Sequence, residues 1–181
     1  MFGLFSRKSN KPFIDTLHGE IMAGVLHPQL YLSHGVPDTF EGRFEMLVLH
    51  GALTTHRIKQ LPAPGPDLAQ DLTDGIFRAL DATLREMGVG DVTVPKKMKK
   101  HAESFAGRAL SYFAALEAKD EGALRLALAR NVYGDEARAA SPEAGRLAAY
   151  VRAIEARLAT YDLDHFLSGK VGYPDPAETG A

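Results

Sequence analysis

The sequence contains no cysteine, and no apolar run in it approaches the length of a membrane-spanning helix. The first absence excludes disulfides, thiolate zinc sites, cysteine nucleophiles and iron–sulfur ligation. The second excludes a transmembrane helix, which needs about 20 apolar residues. Positive charge is not in excess either, because 21 basic and 23 acidic residues leave a net charge of −2. A global electrostatic preference for nucleic acid is therefore not expected.

Sequence signatures of catalysis are missing as well. None of the seven histidines forms an HxxxH or ExxH pair, the spacings that place two metal ligands on one face of a helix. The chain has no GxSxG nucleophile motif, no Walker loop and no dinucleotide-binding fingerprint. We therefore expect a protein that is not an enzyme and that has no cofactor and no metal site.

What the sequence does contain is helical periodicity. Of its 181 residues, 45% are hydrophobic and 24% are charged, values typical of one folded domain. Asp38 is the predicted N-cap of the second helix, and Glu41 completes a capping box. Apolar residues recur at helical spacing between prolines and glycines, and in the third helix they predict a buried stripe of Leu68, Leu72, Ile76, Leu80 and Leu84. The pattern predicts an all-α, compact single-domain bundle of about six helices, spanning residues 12–26, 38–60, 67–87, 95–119, 121–133 and 142–161.

Both ends of the chain differ from this helical region, which is predicted for residues 12–170. Residues 1–11 combine basic and aromatic side chains, which indicates either a frayed, flexible tail or a weak membrane-surface anchor. Residues 171–181 are expected to form a disordered tail. Glycines inside the helices predict close helix–helix approach, because each costs about 1 kcal/mol relative to alanine: Gly42, Gly51, Gly75, Gly107 and Gly145.

The helix predicted over residues 38–60 carries a row of basic or ionisable side chains. Arg43, His50 and Arg57 are spaced seven residues apart, so they follow one another along one face of the helix. Met46 lies beside that row. Two interpretations stay open: a solvated or salt-bridged seam against a neighbouring helix, or a polar and apolar contact surface for a protein partner.

The helix predicted over residues 95–119 begins with a cluster of basic residues: Lys96, Lys97, Lys99, Lys100 and His101. The helix dipole disfavours cations at this end by about 0.3–1 kcal/mol each at exposed sites, so the cluster departs from what stability alone favours. It is either a solvated charge run or an electrostatic docking site for an acidic partner, RNA or anionic lipid. Arg108 and Tyr112 share a face with Lys97 and extend the patch.

Two blocks of the sequence resemble the ubiquinol–cytochrome c reductase assembly chaperones, which serve the cytochrome bc1 complex. The first is GVPDTFEGRFEM at residues 35–46, which runs on to Leu49 and His50. The second begins with LREMGVGD at residues 84–91 and leads to VPKKMK at 94–99 and FAGR at 105–108. A weaker third match is RNVY at 130–133. Together these matches span roughly residues 13 to 160 in the order of the family.

The resemblance implies an all-helical chaperone domain that binds newly made cytochrome b and protects it before it joins the bc1 complex. Mitochondrial members carry a presequence and act with a small helical partner near the translating ribosome. Here the first predicted helix begins almost at once, which favours a bacterial cytoplasmic protein that acts at the inner membrane, with peripheral membrane contact. Contact with the ribosome or with nucleic acid stays open. The family implies no catalytic residues and no small-molecule substrate.

We therefore expect the client-binding face to be bordered by residues in and beside the two blocks: Arg43, Met46, His50, Arg57, Arg85, Asp91, Lys96, Lys97, Lys100, Arg108 and Tyr112. The main alternative is a helical binding protein for a hydrophobic small molecule such as a quinone, haem or lipid. Its pocket would be lined by Phe44, Tyr112 and His50. A hydrolase or metalloenzyme is a further alternative.

Overall fold

The computed structural model describes residues 11–179, so the expectation of a flexible N-terminus at residues 1–10 lies outside the described residues. Within that range the chain is helical and contains no strand, which confirms the predicted all-α class. A π-helical turn, Ala129–Tyr133, extends the sixth helix. The α-helices are α1 (Lys11–Val25), α2 (Pro28–Leu32), α3 (Phe40–Lys59), α4 (Gly65–Glu86), α5 (Val94–Glu117), α6 (Glu121–Leu128), α7 (Pro142–Ala159) and α8 (Leu163–Leu167).

The six helices predicted from periodicity correspond to α1, α3, α4, α5, α6 with its π-helical turn, and α7. Sequence analysis missed α2, because five residues are too few for a periodic pattern. In α4 the predicted apolar stripe is buried as expected: Leu68, Leu72, Ile76, Leu80 and Leu84. Amphipathic helices of this kind show their inner face in the sequence.

The central helix of the bundle is α3, which packs against α1, α4, α5 and α7. Every residue from Phe44 to Thr54 is buried, so this part of α3 is enclosed on all sides. Close approach to its neighbours depends on small residues. A β-carbon on Gly51 of α3 would lie 3.1 Å from Cδ1 of Ile76, and one on Gly75 would lie 2.8 Å from Cγ2 of Ile14. The predicted close helix approach is confirmed at these two glycines. It is wrong for Gly107, where a β-carbon would meet no atom within 4 Å.

The start of α3 differs by one residue from the predicted start. Thr39, and not Asp38, is the N-cap, and its Oγ1 accepts a hydrogen bond from the Gly42 backbone N–H at 3.1 Å. Asp38 instead forms an ion pair with Arg43 at 2.8 Å. The shift arises because the chain turns tightly before the helix, so that a β-carbon on Gly42 would overlap the Pro37 carbonyl oxygen.

The C-terminal segment packs onto the bundle as far as Thr179, so the expectation of a disordered tail is wrong for residues 171–179. Val171 is buried, and its backbone N–H donates a hydrogen bond to Oε2 of Glu20 at 3.2 Å. The hydroxyl of Tyr173 lies 2.6 Å from Oγ1 of Thr54 on α3. The composition of this segment indicated disorder because its partners, Glu20 and Thr54, are far away in the sequence and no local pattern reveals them.

Besides Thr54, two polar side chains of α3, His50 and Glu45, are buried in this core, and each has a partner. Nδ1 of His50 lies 2.8 Å from the Met46 carbonyl, which only accepts, so Nδ1 carries the proton. Nε2 then accepts a hydrogen bond from the Tyr150 hydroxyl at 2.9 Å. Complete burial lowers the pKa of His50 to about 4, which keeps the imidazole neutral.

Glu45 is the second buried polar group of α3. Its side chain is 6% exposed, and Oε2 lies 2.6 Å from Nε of Arg108 on α5. Burial raises the pKa of Glu45 to about 7, and the Arg108 charge opposes that rise. The pair therefore ties α3 to α5 and carries a carboxyl group that titrates near neutral pH.

Substitutions at Tyr173 test the packing of the C-terminal segment. Tyr173→Ala should lower the free energy of unfolding by about 3 kcal/mol, because it removes a ring that packs against α3. Tyr173→Phe should cost about 1 kcal/mol, because the buried Thr54 hydroxyl loses its partner. Urea unfolding measures both. Tyr161→Phe is the control, since its exposed hydroxyl donates to Gly172. Equal stability of Tyr173→Ala and the control would show that the segment is not packed.

The Glu45–Arg108 pair predicts a pH dependence of stability. The raised pKa means that the folded chain takes up a proton at Glu45 before the unfolded chain does, so the contribution of Glu45 to stability should increase as the pH falls from 8 to 5. Relative to Glu45→Gln, the wild type should gain about 1–3 kcal/mol over this range. The lowered pKa of His50 acts in the opposite direction, but equally in both proteins. A stability difference that does not change with pH would contradict this assignment.

Candidate functional site

An apolar groove opens on the surface where α1, the start of α3 and the end of α4 meet. Its volume is about 590 Å³. We call it the α1–α3–α4 groove. Its walls are formed mainly by apolar side chains of three helices and their ends: Met22 of α1 and Leu26 just past its end, Phe40, Phe44 and Leu47 of α3, and Ile76 and Leu80 of α4 with Met87 just past its end.

The groove exposes large apolar side chains, which are uncommon on the surface of a stable domain. Leu26 is 46% exposed and Met87 is 58% exposed. The rim holds the Asp38–Arg43 ion pair, and His18 lies in the wall. Burial lowers the pKa of His18, an effect that Asp15 opposes, so the imidazole is neutral at pH 7. An accessible apolar concavity with a few polar groups at its edge is typical of a binding site for another molecule.

The first family-like block builds one wall of the groove. The tight turn of Pro37 against Gly42 starts α3 at Phe40, so that Phe40 and Phe44 are one helical turn apart and line the same wall. Behind this wall lies His101 of α5. Its ring centroid is 4.5 Å from that of Phe44 and 5.9 Å from that of Phe40. A residue within the span of the second family-like block therefore packs behind the groove wall that the first block forms.

The second block also forms a basic corner at the α4–α5 junction, which we call the lysine corner (residues 92–100). Lys96, Lys97, Lys99 and Lys100 are all exposed, and α5 has no acidic residue in its first turn. Burial lowers the pKa of the adjacent His101, and the positive charges of Lys100 and Lys97 lower it further. The corner adjoins the groove, because His101 packs behind the wall and Met87 begins the connecting loop.

Arg85 and Asp91 hold this connecting loop. Nε of Arg85 donates to Oδ2 of Asp81 at 2.7 Å, and the same guanidinium pairs with Asp91 in the loop. The two ion pairs raise the pKa of Arg85, chiefly through Asp81. Arg85 and Asp91 are both exposed. Their ion pair joins the end of α4 to the loop that precedes the lysine corner.

The structure divides the eleven residues predicted to border a binding face. Six are exposed, at the groove rim, in the loop or at the lysine corner: Arg43, Arg85, Asp91, Lys96, Lys97 and Lys100. Two arginines are bound inside the fold. Arg108 pairs with Glu45, and Arg57 donates to the Tyr161 carbonyl at 2.7 Å.

Met46, His50 and Tyr112 require a correction, because all three are buried and not on an exposed face. The seven-residue spacing that suggested a surface row fails for His50 because α3 is enclosed on every side. The hydroxyl of Tyr112 accepts a hydrogen bond from Asn131 at 3.3 Å. The small-molecule pocket expected from Phe44, Tyr112 and His50 also needs correction, since only Phe44 lines the groove.

Sequence analysis missed the groove residues of α1 and α4. Leu26 and Met87 each lie just past the end of a helix, before His27-Pro28 and Gly88, where a periodic pattern stops. A large apolar residue just past the end of a helix was the sequence signal that could have indicated this groove. Over residues 11–179 no group of three or more His, Cys, Asp or Glu side chains could hold a metal ion. In the same range no helix is long and apolar enough to cross a membrane.

Comparison with known proteins agrees with the resemblance of the two blocks. The family model described as ubiquinol-cytochrome C chaperone matches residues 32–173, which include both blocks. A solved structure described as the crystal structure of the Cbp3 homolog from Brucella abortus is 37% identical, with a TM-score of 0.84 over 95% of this chain and 94% of that chain. No curated protein matches. The chain therefore belongs to the ubiquinol–cytochrome c chaperone family.

Proposed function

We propose that this protein binds newly made cytochrome b and promotes its assembly into the cytochrome bc1 complex, without catalysing a reaction. The observation that carries the proposal is the α1–α3–α4 groove, whose exposed Leu26 and Met87 lie beside the first family-like block. The protein acts at the cytoplasmic face of a bacterial inner membrane, where an apolar client enters the bilayer.

The chemistry of the groove suits an apolar helix of a membrane protein. Such a helix has no apolar partner until it is inserted or assembled, and water exposure of its side chains favours aggregation. A groove between helices accepts an amphipathic or apolar helix through side chains spaced three or four residues apart. Burial of Leu26 and Met87 against such a client would contribute about half of the roughly 1.5–3 kcal/mol that full burial of a side chain gives, because each is already about half buried. Binding of this strength is reversible, which a chaperone requires.

The rim of the groove allows polar groups of the client to be accommodated. The Asp38–Arg43 pair is exposed, and exposed ion pairs contribute only about 0–1 kcal/mol to stability. Arg43 therefore exchanges Asp38 for a carboxylate or carbonyl of the client at little cost. We propose that the other exposed members of the predicted set, Arg85, Asp91, Lys96, Lys97 and Lys100, border the same client-facing side.

A second candidate function is the binding of a hydrophobic small molecule such as a quinone, haem or lipid. The size of the groove favours it, since ligand pockets typically have volumes of about 300–1,000 Å³. A ligand of this kind would raise the melting temperature of the wild-type chain. It would not raise that of a variant with a charged groove.

Charges placed in the groove should impair assembly. A chain with Leu26→Asp and Met87→Asp is expected to fold but to bind its client at least about tenfold more weakly, because burial of an unpaired carboxylate is costly. Cells that depend on this variant should contain less cytochrome b and less ubiquinol–cytochrome c reductase activity in their membranes. The matched control carries Leu32→Asp and Leu126→Asp, two exposed leucines outside the groove.

Site-specific photo-crosslinking identifies the client in the same cells. A photoreactive residue at position 87 should crosslink to cytochrome b during its synthesis, and one at position 126 should not. Normal assembly in cells with the charged groove, together with equal crosslinking from both positions, would rule out the groove as the client site.

A further inference from the structure

The lysine corner combines positive charge with exposed apolar side chains. Four lysines lie within five residues at the start of α5, all on its solvent side, and the two in its first turn, Lys96 and Lys97, oppose the helix dipole. Val92, two residues before the helix, is 94% exposed, and Met87 at the other end of the loop is 58% exposed. Neither the cluster of lysines nor the exposed apolar side chains stabilise the fold. Their coincidence indicates a surface for a ligand that is both anionic and apolar.

The charge of the corner is available to such a ligand. Two nearby acids have basic partners: Asp91 pairs with Arg85, and Glu103 lies 3.9 Å from the ammonium of Lys99. The other three lysines have no ion pair of that kind among the described residues. The corner therefore presents a net positive charge to its surroundings.

We propose that the lysine corner docks the protein on an anionic lipid surface. Val92 enters the boundary between headgroups and acyl chains, and Lys96, Lys97, Lys99 and Lys100 contact lipid phosphates. Basic residues around an exposed apolar side chain are the combination by which peripheral proteins bind anionic bilayers. The four lysines and Val92 adjoin the groove but do not line it, so this inference does not require that the groove binds cytochrome b.

A lipid surface explains the corner better than RNA does. Single-stranded RNA is bound by aromatic side chains that stack on bases, and residues 84–100 contain no aromatic residue. RNA would also leave Val92 without a role. Lipid docking at the corner would also position the groove, because Met87 belongs to both the groove and the connecting loop. A chain docked through Val92 holds the mouth of the groove close to the bilayer.

Co-sedimentation of the full chain with vesicles tests the proposal. The vesicles contain either phosphatidylcholine alone or two parts phosphatidylcholine to one part phosphatidylglycerol. The wild type should bind the anionic vesicles, and binding should weaken as ionic strength rises. Neutralisation of the four lysines (Lys96→Gln, Lys97→Gln, Lys99→Gln and Lys100→Gln) should lower the partition coefficient at least about tenfold, since each lysine contributes roughly fivefold. Val92→Ser should lower it about threefold or more.

The matched control removes four positive charges from exposed residues elsewhere: Lys59→Gln, Lys119→Gln, Arg130→Gln and Lys170→Gln. Its binding should change less than about twofold if the position of the charges matters. Equal losses in the two quadruple variants, or equal wild-type binding to both kinds of vesicle, would overturn the proposal. So would binding of a single-stranded RNA that needs the four lysines and is unaffected by Val92→Ser. Crosslinking from position 87 to cytochrome b is measured separately, so failure of one proposal leaves the other to its own test.

Discussion

Enclosure of α3 from Phe44 to Thr54 is the constraint on which the rest of the structure depends. A helix buried on all sides must find a partner inside the fold for each of its polar groups, since an unpaired one costs about 1–3 kcal/mol. Glu45 therefore fixes Arg108 of α5, and His50 fixes Tyr150 of α7. Thr54 brings in the C-terminal segment through Tyr173. Each of these three buried polar residues thus positions a different outer element of the fold.

The same constraint explains where the protein offers a surface. On the N-terminal side of Phe44 the helix leaves the core, and its first turn lies beside the open space between α1 and α4. The groove formed there has a wall that His101 contacts from behind, through the rings of Phe44 and Phe40. A preformed apolar groove avoids the entropy of ordering a binding site. For a chaperone, which binds and releases a client without chemistry, such a scaffold is sufficient.

Periodicity and end signals in the sequence were enough to predict the all-α class, the six main helices and the buried stripe of α4. They could not distinguish a surface helix from a central one, and this is why His50 was expected on an exposed row. Tyr173 was missed because its partner Thr54 is 119 residues away in the sequence. The lysines were identified as a departure from helix-dipole preference, a local property. The groove was not identified, because Leu26 and Met87 meet only in three dimensions.

Hydroxyl-radical footprinting of the protein in complex with newly made cytochrome b would test the central claim most directly. Leu26 and Met87 report on the groove, while Leu32 and Leu126 are exposed references outside it. The account predicts that labelling of Leu26 and Met87 falls on complex formation and that labelling of the references does not change. Unchanged labelling of Leu26 and Met87 in a complex that protects Leu32 or Leu126 would contradict it.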